Sequence, residues 1–209
     1  MKFNFAPHVV SLSLLGALAV TGCFSLSSYH TARFIEPGTT EIGLAMEVLG
    51  VPDEEGAFVT HPMLFARKGI SEKMDIGIAA GHFGTNFDLN YMVVETDEFV
   101  LSVNPNLTVA MLTFLSVDGL DTAGSILTPG LYVLGDIPVA DTFTFTTGVK
   151  VARYMSNEEG FTESLLLLGG SLGARIQFSS FHLFPEVNLL TPAEFFGEFV
   201  WSLGLGIGL

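Results

Sequence analysis

From Thr40 to the last residue the chain repeats with a period of two. Ile42, Leu44, Met46 and Val48 alternate with Glu41, Gly43, Ala45 and Glu47. Phe87, Leu89, Tyr91 and Val93 alternate with Asn86, Asp88, Asn90 and Met92. The same spacing recurs at Leu101, Val103, Pro105, Leu107 and Val109, at Phe143, Phe145, Thr147, Val149 and Val151, and at Leu183, Pro185, Val187 and Leu189. Successive side chains of a strand point to opposite faces, so this pattern predicts strands with one apolar face. No segment keeps a helical period over ten residues. About ten strands are predicted, at 40–51, 59–68, 73–83, 86–95, 99–110, 126–136, 142–153, 163–177, 181–189 and 196–208. Most are close to the 9–11 residues that a tilted strand needs to cross a bilayer.

The connections alternate in length. Tight turns are predicted at 69–72, 96–98, 137–141 and near Ser179-Ser180. Longer loops are predicted at 52–58, 111–124, 154–161 and 190–195, with one short exception at 83–85. Short turns at one end and longer loops at the other are the layout of an outer-membrane barrel. An even strand number brings both ends of the barrel sequence to the turn side, which that layout makes periplasmic.

Composition then sharpens the choice. The 209 residues are 49% hydrophobic and 14% charged, where soluble domains are about a quarter charged. After the first 22 residues no run of about 18 apolar residues offers a membrane-spanning helix. The apolar residues are spread over strands instead. Net charge is −14, from 8 basic and 22 acidic residues. That argues against nucleic acid as a partner, because phosphates demand a basic surface. Acids gather in predicted loops at Asp53-Glu54-Glu55, Asp97-Glu98, Asp118, Asp121 and Glu158-Glu159. None has the spacing of a calcium loop, so they are read as a solvated rim.

The first residues, "MKFNFAPHVVSLSLLGALAVTGC", open on Lys2 and an apolar run from Val9 to Val20. That run has the length of a signal-peptide core. It ends in Val20-Thr21-Gly22-Cys23, which resembles the bacterial lipobox. The resemblance implies a signal peptide at 1–22, covalent lipid on Cys23, and processing by the lipoprotein machinery. Cys23 is the only cysteine, so no internal disulfide exists. Phe24 follows it where an inner-membrane retention signal would place Asp, so the outer membrane is the expected destination. Residues 23–39 read as a lipidated start and a tether without pattern.

The last strand, "FVWSLGLGIGL", alternates apolar residues with Ser202, Gly204, Gly206 and Gly208. It resembles the C-terminal targeting strand of bacterial outer-membrane barrels, although that family usually ends in Phe or Tyr and this chain in Leu209. "FARKGISEKMDIGIAAG" is similar to a turn common in small barrels of that class, with Arg67 and Asp75 facing inward across the hairpin. These resemblances imply an all-β, closed up-and-down antiparallel transmembrane barrel over 40–209, of about ten strands with eight or twelve as alternatives. They also imply the outer membrane of a diderm bacterium, contact with its lipid and its barrel-assembly machinery, and an anchor at Cys23 on the periplasmic side. They carry no activity, and the oligomeric state is left open.

Strand parity places Glu41, Glu47, Arg67, Asp75, Asp88, Asp136, Lys150, Arg175, Glu186 and Asn188 inside. A lumen of ten strands is narrow, and these groups are read as a polar network that fills it. The sharper alternative is a slow, cation-preferring pore. A structural, surface-binding or small-solute permeation role follows, with no catalysis evident and no metal or cofactor beyond the lipid. The alternative fold is a membrane-tethered soluble β-barrel or sandwich that binds an apolar ligand. A barrel enzyme acting on lipid or protein is third. It would need a nucleophile or activated water beside a base. His61, His82 and Asp88 are the nearest candidates, but His61 points inward and His82 outward. With His182 they are too scattered for a metal site. "LLLLGGSLGAR" lacks the G-K-[ST] ending and the following helix of a phosphate loop.

Overall fold

The structure is a computed structural model of the chain and describes residues 27–33, 35–50, 58–81, 84–116, 119–158, 161–193 and 199–209. Cys23, His82, Asp118 and the acidic run Asp53-Glu54-Glu55 lie outside the described residues. Ten strands run in chain order: β1 (Thr40–Gly50), β2 (Phe58–Ser71), β3 (Met74–Gly81), β4 (Gly84–Glu95), β5 (Val100–Ser116), β6 (Gly119–Ala140), β7 (Phe143–Glu158), β8 (Phe161–Gln177), β9 (His182–Pro192) and β10 (Val200–Gly208). Each pairs antiparallel with its chain neighbours, and β10 pairs with β1 to close the barrel. Closure removes the two sheet edges, whose backbone groups could not be satisfied in hydrocarbon.

The described side chains of the strands sort by parity. On β1, Ile42 and Leu44 are more than half exposed, whereas Glu41 is buried and Glu47 has no exposed surface. Leu64, Ile78, Phe87, Leu131, Val149, Leu172, Val187 and Leu205 continue the exposed apolar band around the barrel. Among the described residues, the outward charges on the strands lie toward their ends, Lys68 three residues from the end of β2 and Arg153 five residues from the end of β7. A soluble barrel reverses this arrangement, with apolar residues in and charges out.

Three stretches differ from the sequence reading. In the stretch 111–124, expected as a loop, residues 111–116 and 119–124 continue the β5–β6 ladder from Met111↔Ser125 to Ser116↔Gly119, across one irregularity at Leu112/Thr113. The residues "MLTFLS" do not alternate apolar with polar, but cross-strand backbone hydrogen bonds do not depend on side-chain type. Likewise β7 and β8 pair out to Glu158↔Phe161, where a loop was expected from 154. β6 is 22 residues long, about twice what a bilayer needs, so the β5–β6 and β7–β8 hairpins project at the loop end.

The third difference is the stretch from Ser27 to Pro37, expected from its sequence to be a patternless tether. It lies inside the barrel. Tyr29 and Ala32 are buried, as are Ser27, His30 and Thr31. Pro37 bridges Gly69 near the turn end. Glu36-Pro37-Gly38-Thr39 then turns the chain back into β1, closed by a bond from Thr39 N to the Glu36 carbonyl at 3.0 Å. Gly38 sits at φ 82°, which a Pro-Gly turn of this kind requires of its third residue. Gly69 has no room for a Cβ, which would collide with the Ile35 and Glu36 carbonyls.

Candidate functional site

Among the described residues, polar chemistry is concentrated in the lumen, and it has layers. At the turn end, His182 Nε2 lies 2.9 Å from Glu41 Oε1, and Arg175 Nη2 lies 3.4 Å from His182 Nδ1. Arg175 is only half-buried and also lines a mouth of about 800 Å³ with Arg33, Glu95, Asp97 and Asp141. Above this, Arg67 bridges two carboxylates: its Nε donates to Asp75 at 2.9 Å, its Nη2 also meets Asp75, and Nη2 lies 2.7 Å from Asp88. Gly77 is the cross-strand partner of Arg67, and a Cβ there would come within 2.7 Å of the guanidinium. The glycine therefore makes the space into which Arg67 folds. Asn104 donates to Asp88 at 2.9 Å and Asn90 to Asp75 at 3.3 Å.

Nearer the loop end, Lys150 donates to Glu186 at 3.2 Å and to Asn188. Its ammonium also lies 4.7 Å from the Tyr132 ring centroid, a favourable electrostatic position. Glu47 lies opposite His61 in the β1–β2 register. Thus Glu41, Glu47, Arg67, Asp75, Asp88, Asp136, Lys150, Glu186 and Asn188 all lie inside. They form separate clusters rather than one continuous chain. Each buried charge meets an opposite charge or a hydrogen-bond donor, as burial in a low-dielectric space demands.

The segment from Ser27 to Ile35 completes these clusters. Ser27 N donates to Glu47 at 3.1 Å, and its hydroxyl does so at 3.0 Å. Ser28 N and Tyr29 N donate to Glu186 at 3.0 and 3.1 Å. Arg33 N donates to Asp136 at 3.0 Å and Ile35 N to Asp75 at 3.3 Å. The carboxylates thus bind main-chain amides of a segment that joins no ladder among the described strands. Bonds of this charge-assisted kind are roughly twice as strong as neutral ones. The acids stand out in the sequence, but what they hold does not.

The glycine face of β10 explains where the segment fits. A Cβ on Gly206 would lie 3.0 Å from Tyr29 Cδ1, and one on Gly204 would lie 2.9 Å from Tyr29 Cε1. The Tyr29 ring stacks on Phe65 at 6.2 Å, and Phe184 meets Phe65 edge-on at 6.5 Å. Tyr29 adopts φ 51°, a left-handed conformation that is rare for an aromatic residue. Packing and the amide bonds on either side hold it there. Two voids beside Ser27, Ser28 and His30 measure about 10 Å³ each, room for one water at most.

Beyond Glu47 the inner wall changes character. Leu49, Ala110, Ile126, Ala152, Tyr154, Leu165, Leu167 and Leu190 form a buried apolar collar toward the loop end. Parity alone points these residues inward, but no charge marks them as a layer of their own. His61 is buried inside, and His82 lies outside the described residues, so the histidine pair assembles no described site. Among the described residues no group of His, Cys, Asp and Glu has the geometry to hold a metal.

No family model matches the chain. No curated protein matches it either. Among solved structures it is similar to Neisserial surface protein A, with 8% identity, a TM-score of 0.43 and coverage of 81% of this chain and 94% of that one. It is similar to Ail, the attachment invasion locus protein of Yersinia pestis, with 12% identity, a TM-score of 0.42 and coverage of 83% and 98%. It is also similar to the outer membrane protease OmpT of Escherichia coli, with 7% identity, a TM-score of 0.44 and coverage of 85% and 98%. Likenesses this low carry no argument about role. The closed antiparallel barrel rests on the chain's own ladder of strand pairs.

Proposed function

We propose that the chain is an outer-membrane β-barrel lipoprotein whose lumen is closed by its own N-terminal segment, and that it works as a surface-facing scaffold rather than an open pore. The observation that carries this is the occupied lumen: residues 27–32 are buried or half-buried in it, and the voids beside Ser27, Ser28 and His30 admit one water at most. The exposed apolar band around the wall supports embedding of the barrel itself. A soluble barrel tethered by lipid would leave that band in water, far beyond the few hundred Å² of apolar patch that soluble surfaces carry. Binding at the cell surface then falls to the projecting β5–β6 and β7–β8 hairpins.

Purified native protein in planar bilayers tests the closed lumen. The expected result is no discrete conductance. Sustained steps from the native chain would refute it. One observation favours a second reading, in which the barrel conducts cations after the segment leaves. The inward carboxylates Glu41, Glu47, Asp75, Asp88, Asp136 and Glu186 outnumber Arg67, Lys150 and Arg175. A variant lacking residues 27–36 tests it by showing cation-selective steps, or none if the apolar collar keeps the barrel shut.

A further inference from the structure

The direction of the N-terminal segment decides at which end of the barrel a lipid anchor can sit. The segment runs antiparallel to β1 inside the lumen. Its end at Pro37 bridges Gly69, next to the β2–β3 turn. Its start at Ser27 contacts Glu47 and Asn188, and Asn188 donates both to Ser27 Oγ at 3.0 Å and to Ser202 Oγ at 3.2 Å. Glu47 is three residues from the end of β1, and Ser202 is two residues into β10. Both of those strand ends belong to the loop side.

Distances then separate the two ends of the barrel. From Thr40 to Glu47 is seven residues, about 23 Å along the strand and about 18 Å along the axis at a tilt near 40°. Glu47 to Gly50 covers only about 8 Å of the axis on the same basis. Cys23 precedes Ser27 by four residues, and four residues reach at most about 14 Å. That suffices for the loop-side rim and falls short of the turn-side rim. The route to the turn side is also filled, because Tyr29, Arg33 and Ile35 and the carboxylates they bind occupy it. The inner wall toward the loop side is the apolar collar of Leu49, Ile126, Leu165 and Leu190. Of the residues that lead up to Ser27, Phe24 and Leu26 are apolar.

We propose that the chain enters its own lumen from the loop end, and that the acyl group on Cys23 inserts in the leaflet at that end. With the loops outward, this is the outer leaflet. The result reverses the side expected from the strand count alone, which placed the anchor with the barrel ends. The proposal rests on the lipidated, membrane-embedded reading above for its acyl part. Threading itself does not depend on lipid.

Two epitope tags test it in intact cells, one directly after Cys23 and one in the β2–β3 turn between Glu72 and Lys73. Both tagged proteins are first checked for the heat-modifiable migration of a folded barrel. The expected result is that the tags are read from opposite sides of the membrane, with at least about tenfold stronger labelling of the tag after Cys23 in intact cells. Equal labelling of the two tags, exposed or protected, overturns the threading. A second test avoids tags. In a Cys23→Ala chain exported by an ordinary signal peptide, Ser27→Cys and Ser202→Cys, whose parent hydroxyls both meet Asn188, are joined by a short bifunctional thiol crosslinker, seen as a shift on a denaturing gel. Absence of that crosslink in folded protein overturns the placement of Ser27. Mass spectrometry of the N-terminal peptide reports acylation separately, so a failure of the lipid reading is distinguishable from a failure of the threading.

Discussion

The two faces of the wall come from the same strands and obey opposite rules. Outside, the residues are apolar and interchangeable. Inside, Arg67, Asp75 and Asp88 or Lys150, Glu186 and Asn188 meet at hydrogen-bond distance. The outer face needs only transfer into hydrocarbon, which is nondirectional. The inner face must satisfy each buried charge by geometry. Damage should therefore be general on one face and residue-specific on the other.

The largest effect is expected from the inner face. Arg67→Met leaves Asp75 and Asp88 buried without their shared cation. Breaking a buried pair in this way costs about 3–5 kcal/mol. Urea unfolding in lipid vesicles checks it, and a loss below about 1 kcal/mol would show that the lumen is wetter than its voids imply. Next comes the outer face, where Leu44→Arg puts a charge at mid-wall on a position 62% exposed. A cost of about 2–4 kcal/mol is expected in bilayers, while in detergent the charge finds water more easily and the cost shrinks. Equal small costs in both media would mean that this face does not meet lipid.

A smaller effect sharpens the role of the segment. Gly206→Leu introduces bulk against Tyr29, whose ring a Cβ alone would approach to 3.0 Å. Overpacking of this sort costs about 1–3 kcal/mol. The same substitution in a chain without residues 27–36 should cost little, and an unchanged cost there would show that the wall, not the segment, is strained. Least of all is expected from Val139→Thr at the outer turn-side rim, where the residue is 65% exposed. Exposed substitutions usually stay within about 0.5 kcal/mol. A melting shift larger than a few degrees would reveal a partner at this rim.

Much of the wall is legible in the amino-acid pattern. Alternation at Ile42–Val48 or Leu183–Leu189 assigns each side chain to a face, because a strand offers only two. The glycines at 204, 206 and 208 announce a small inner face. Residues 111–116 are illegible because their ladder continues where alternation stops. The apolar collar is visible by parity, but Leu49 and Leu190 look alike whether a strand buries them in protein or in lipid.

By itself, the sequence determined an antiparallel barrel of about ten strands, the parity of those that alternate and the side of the wall on which their charges lie. Those are local properties, set by a two-residue repeat and by the length of a turn. Only the tertiary structure decided that Ser27 to Ile35 completes the lumen. The segment contributes main-chain amides, which every residue but proline carries, so nothing in its side-chain pattern marks it. Its place is fixed by carboxylates more than a hundred residues away on β6 and β9 as well as by nearer ones on β1 and β3. Their convergence exists only once the barrel has closed.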